Sequence, residues 1–141
     1  MDLKEDLYAK LITRRGALVS KLDGLSEYDQ RRPMTPTGTN LLGLVKHLAG
    51  IEYAYLGDAL GRPAPETLPR DEAGSLWAGA DMWATADDKS HDMNALYRRA
   101  CAHADASIAA LELDSPASVP HWPADRRETT LGFLLIHMIA E

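Results

Sequence analysis

The chain has 141 residues, 45% of them apolar, with 21 acidic against 15 basic side chains, five His and one Cys. That length suits one domain that buries about two thirds of its unfolded surface, and a single Cys allows no intramolecular disulfide. A net charge of -6, with no block rich in Lys and Arg, argues against nucleic acid or an anionic membrane surface as partner.

The amino end, Met1 to Asp6, carries no apolar signal segment, and the longest nearly apolar run, Leu131 to Ala140, is about half of the ~20 residues that span a bilayer. A cytoplasmic protein without membrane attachment is expected. In the first segment Leu3, Leu7, Leu11, Leu18, Leu22 and Leu25 recur at helical steps, while Lys4, Glu5, Lys10, Arg14, Arg15 and Lys21 point elsewhere. The spacing predicts an amphipathic helix over about 3 to 23, closed near Gly24. Pro33 and Pro36 then mark a connection.

A second helix is predicted to start at Thr39 or Asn40, either of which can cap it, and to stop at Gly61 and Pro63. Its stripe is Leu41, Leu44, Leu48, Ile51, Tyr55 and Ala59. The long connection over about 61 to 88 holds three Pro together with Trp77 and Trp83, as lids and binding loops do. Met93, Leu96, Tyr97, Ala100, Ala104, Ile108 and Leu111 define a third helix over about 89 to 112, with Ser90 or Asp88 as cap. After Pro116, Pro120 and Pro123, a fourth begins near Thr129 on Leu131, Leu134, Leu135 and Met138. The expected fold is all-α, one four-helix bundle.

Two His interrupt the apolar faces. His47 lies three residues after Leu44 and four before Ile51, and so points with the second stripe. His137 lies three residues after Leu134 and four before Glu141. A lone His on such a face is more often a core residue bonded to a backbone carbonyl, and an i, i+4 His/Glu pair is often a surface contact. Together, two imidazoles and a carboxylate are the donor set of Zn, Ni or Fe(II). Cys101, four residues after Tyr97, reads as a small core residue; His103 and Asp105 fall on the flank of the third helix, and His91 and His121 near loops. There is no phosphate-binding Gly loop, nucleophile elbow or Cys-x-x-Cys.

The run Thr35 to Glu52, TPTGTNLLGLVKHLAGIE, and the run Thr130 to Glu141, TLGFLLIHMIAE, resemble the DinB-like superfamily of four-helix metalloproteins, as does Leu96 to Asp105. The branch they resemble is an actinobacterial one of unknown function, related to the mycothiol-dependent maleylpyruvate isomerases. The resemblance implies that His47 is the metal-binding His of the second helix and that Glu141 is the carboxylate ligand of the fourth. In the isomerase-like branch the third ligand is a His one turn further on, past the last residue given; in other branches two His stand at the i, i+4 spacing that His137 and Glu141 show here. Two ligand sets follow: His47, Glu141 and a downstream His, or His47, His137 and Glu141. The first is preferred, with His137 as a pocket residue. It carries the expectation that the natural fourth helix continues beyond Glu141.

The function implied is that of a divalent-metal-dependent enzyme, with Zn first and Ni or Fe(II) as alternatives. It would use a thiol such as mycothiol as co-substrate to transfer to, or isomerise, a small electrophilic substrate. Trp77, Trp83 and Trp122 are expected around the mouth. Homodimerisation is implied by the resemblance. The contrasting reading is a noncatalytic small-molecule binding or resistance protein, or a dimerising bundle with structural His.

Overall fold

The structure, a computed structural model, describes residues 2–22, 41–65 and 90–140. Four helices, α1 (Leu3–Leu22), α2 (Leu41–Tyr55), α3 (Ser90–Ala110) and α4 (Leu131–Ala140), make the expected all-α bundle, joined by a small antiparallel pair, β1 (Pro116–Ser118) and β2 (Glu128–Thr130). Gly24, Thr39, Asn40, Trp77, Trp83, Asp88 and Glu141 lie outside the described residues.

The helix α1 begins where the Asp2 carboxylate accepts the backbone N–H of Lys4 at 3.0 Å, an N-terminal cap the sequence reading did not single out. It buries Leu7, Leu11 and Arg15, which recur every four residues, while Leu3 stays 61% exposed. The burial of Arg15 corrects its expected solvent-facing position. Two carboxylates from other helices meet it there, and a buried guanidinium is tolerated only when so paired.

Two faces of α2 are covered. Val45, Ala49 and Tyr53 pack in one cluster with Met93, Leu96, Tyr97 and Ala100 of α3. Ile51 and Tyr55, with Leu56 just past the helix end, pack in a second cluster with Leu7 and Leu11 of α1 and Leu131, Leu134, Leu135 and Met138 of α4. Leu44 and Leu48 are only half-buried, and Leu48 edges the first cluster. The helix ends at Tyr55, earlier than predicted, because the chain doubles back at Gly57. A Cβ there would stand 2.3 Å from the Tyr53 carbonyl oxygen and 2.9 Å from that of Arg62. A 3-10 turn, Asp58–Leu60, follows and closes on Gly61 at φ 77, the left-handed region that glycine enters without strain.

The helix α3 keeps its predicted stripe, with Met93, Leu96, Tyr97, Ala100, Ala104 and Ile108 all buried. It runs in the same direction as α2: the Tyr53 ring lies 5.5 Å from that of His103, while Val45 belongs to the cluster of Met93 and Leu96. It runs opposite to α1, whose Lys4 Nζ donates to the Leu111 carbonyl. Parallel neighbours need a connection as long as the bundle, which accounts for the long segment between α2 and α3.

The strands pair Pro116 with Thr130 and Ser118 with Glu128. They fall in the stretch predicted as a Pro-marked loop, and at three residues each they are too short to leave an alternating pattern. The Gly132 N–H donates to the Leu113 carbonyl at 2.9 Å, so α4 starts beside the end of α3 and returns antiparallel to α2. Among the described residues, no helix is long and apolar enough to cross a membrane.

Candidate functional site

The last turn of α2, the loop between β1 and β2, and the inner side of α4 converge on one aromatic cluster. Tyr55 sits at its centre. Its ring centroid lies 4.8 Å from that of His137, 5.7 Å from Trp122 and 5.9 Å from His121. Trp122 Nε1 donates to the Tyr55 hydroxyl at 3.3 Å, and that hydroxyl is 3.2 Å from His121 Nε2. Burial, and then the neighbouring His137, pushes the His121 imidazole below its ordinary value. The Tyr55 hydroxyl thus links the Trp122 indole to the His121 ring. The hairpin matters here because it fixes both His121 and Trp122 against α2.

His137 is half-buried, its Nε2 wholly so, and its ring is 5.3 Å from that of Trp122. His47 is half-buried on α2. It precedes Tyr55 by eight residues, about 12 Å along the helix axis at the standard rise. His137 therefore stands at the Tyr55 end of α2, with His47 about two turns away toward the other end. Among the described residues no three His, Cys, Asp or Glu side chains form a group able to hold a metal ion. Glu141, the carboxylate of both candidate sets, lies outside the described residues.

Beside this cluster, Trp122, Pro123, Phe133 and His137 wall a cavity of about 520 Å3 with Asp125, Arg126 and Glu128 also on its lining. Of the three Trp expected around a mouth, Trp122 is the one whose place is described, and it borders this cavity.

A second polar group lies deeper. Arg15 Nε and Nη2 donate to the two carboxylate oxygens of Glu52 at 2.9 and 2.8 Å, and its Nη1 to Asp105 at 2.5 Å. Tyr8 also hydrogen-bonds Asp105, and Tyr97 bonds Cys101. Burial opposes the charge on Arg15, but Glu52 outweighs it and holds the guanidinium firmly protonated. Burial, then the Glu52 carboxylate, pushes the Cys101 thiol up to about 12, which makes it a poor nucleophile. Composition hid Arg15 and Glu52 among the charged residues. The available signal was position: both fall on the helical rows of buried neighbours, Arg15 four residues after Leu11 and Glu52 three after Ala49. His103 Nε2 meets the Arg62 carbonyl at 2.8 Å and serves the bend after α2.

Among the described residues, four helices closed into one bundle with a small strand pair before the last are consistent with the fold of a DinB-like protein. The family model for mycothiol-S-transferases matches residues 6–141, and the chain belongs to that family. No curated protein and no solved structure matches it.

Proposed function

We propose that the protein transfers mycothiol to a small electrophile, using a divalent ion held by His47 and Glu141, with His137 on the wall of the adjoining pocket. The family match over residues 6–141 is the observation that carries the thiol and the transfer. An imidazole and a carboxylate are donors suited to Zn, and also to Ni or Fe(II). The bound ion would supply the positive charge that lets a thiol lose its proton near neutral pH.

The chain's own residues do the rest. The sulfur forms its bond to the electrophilic carbon while the leaving group departs with the electron pair, or, for an activated double bond, while the π pair moves onto the activating group. His137 and Tyr55, ring to ring at 4.8 Å, wall the Tyr55 end of α2. Trp122 covers them, its indole pinned through Nε1, and excludes water from that side. Cys101, with its thiol held protonated, does not compete as a nucleophile.

The test is conjugation of mycothiol to 1-chloro-2,4-dinitrobenzene by the full chain with Zn, Ni or Fe(II) added, followed by mass spectrometry. Conjugate should form faster than without protein, and His47→Ala should lose both stoichiometric metal and the acceleration while keeping the helical signal. His137→Ala should keep the metal. No acceleration with any of the three ions would overturn transfer, and metal retained by His47→Ala would overturn the ligand assignment.

A further inference from the structure

The cavity beside Trp122 has a chemistry of its own. Its volume of about 520 Å3 falls within the ~300–1,000 Å3 typical of small-molecule sites. Part of its lining is aromatic and preformed. Trp122 is held by its indole N–H on Tyr55 and by Arg127 Nε, which donates to the Trp122 carbonyl at 2.9 Å. Phe133 meets the indole edge-on at 6.0 Å, yet 53% of its surface remains exposed. A half-exposed Phe beside a fixed Trp, at the wall of a cavity, is apolar surface that a planar ring would cover.

The same lining carries charge that the fold does not consume. Asp125, Arg126 and Glu128 line the cavity, and none of the three joins an ion pair with another described residue. Glu128 accepts a hydrogen bond from Ser118 Oγ at 3.1 Å across the strand pair, which orients its carboxylate without neutralising it. On the lining itself two carboxylates stand against one guanidinium, the Arg127 guanidinium being turned to the Trp122 carbonyl outside it, in a chain whose net charge is already -6. Such a field concentrates cations.

We propose that this cavity binds a planar aromatic amine. Its ring lies against Trp122 and Phe133, and its ammonium reaches Asp125 and Glu128, with the indole face adding cation–π attraction. An aromatic acid of the same shape meets two like charges and one opposite, and is disfavoured. The cavity shares Trp122 and His137 with the pocket of the proposed transferase site, but binding of the amine requires neither thiol nor metal, so it can fail or hold independently of transfer.

Titration calorimetry of the full chain in the presence of a chelator, without mycothiol, tests it with tryptamine and indole-3-acetate as probes. Tryptamine should bind at least about tenfold more tightly than indole-3-acetate, a difference of about 1.4 kcal/mol. The Asp125→Asn/Glu128→Gln variant should remove that preference, and Phe133→Ala, at an exposed position, should weaken tryptamine while the thermal transition stays in place. Equal affinity for the two probes, no heat with tryptamine at millimolar concentration, or tryptamine binding unchanged in the double variant would each overturn the proposal.

Discussion

Arg15 and Glu52 are joined by a two-pronged ion pair inside the bundle, with side chains only 9% and 3% exposed, and through it α1 is set in register against α2. The third arm of the guanidinium, on Asp105, ties in α3. Three helices thus share one cation.

Removing one partner leaves the other charged and buried. Glu52→Leu and Arg15→Met should each destabilise the fold by about 3–5 kcal/mol, whereas the two changes together should cost far less than the sum of the single ones. Urea unfolding followed by circular dichroism gives all four values. Strict additivity would show that the pair is not coupled.

The alkaline limb of stability should be set partly by Cys101. Its thiol, ordinarily at 9.0, is pushed up to about 12 by burial and then by Glu52. The folded state therefore holds this proton more tightly than the unfolded chain. The associated stability is complete below pH 9 and is lost as pH rises from about 9 toward about 12. Tyr97, raised by burial and then by Cys101, acts in the same direction. Cys101→Ser should flatten this decline in a series of melts. In the native protein, iodoacetamide should label Cys101 slowly at pH 9 and quickly only in denaturant.

How much of this was legible in the sequence depended on whether a residue's neighbours were local. Leu131, Leu134, Leu135 and Met138 announce their face by spacing alone, and all four are buried. So does the α3 stripe. His47 and His137 stood out because an imidazole on an apolar face is conspicuous. Arg15 did not: its place four residues after Leu11 puts it on the buried row, but a charged residue on such a row reads as internal only once its carboxylates, which come from distant segments, are placed beside it. The hairpin escaped because Pro116 and Ser118 look like loop residues until Thr130 and Glu128 are placed across from them.

Tyr55→Phe should separate packing from hydrogen bonding in the aromatic cluster. The ring contacts with His137 and Trp122 remain, while the indole N–H and His121 lose their shared hydroxyl. A loss of about 1 kcal/mol is expected, with the larger change in the near-ultraviolet signal of Trp122. An unaltered aromatic spectrum would mean that the hydroxyl does not hold the loop.

Gly57→Ala should be poorly tolerated for reasons of space. The added Cβ would collide with two backbone carbonyls. Destabilisation of about 1–3 kcal/mol is expected from thermal melts, against almost none for Gly16→Ala, whose Cβ meets nothing within 4 Å.

Because α2 and α3 lie side by side pointing the same way, every contact between them closes a loop containing the chain from Leu56 to Lys89. The α3, hairpin and α4 units, by contrast, meet through near neighbours, as in the Gly132–Leu113 bond. The C-terminal part can organise early, and the docking of α2 onto α3 becomes the slow, topologically expensive step. Loop-closure entropy grows only with the logarithm of length, so halving the connection would gain about 0.6 kcal/mol. A longer or rewritten crossover would therefore change the cost of that docking step only slightly.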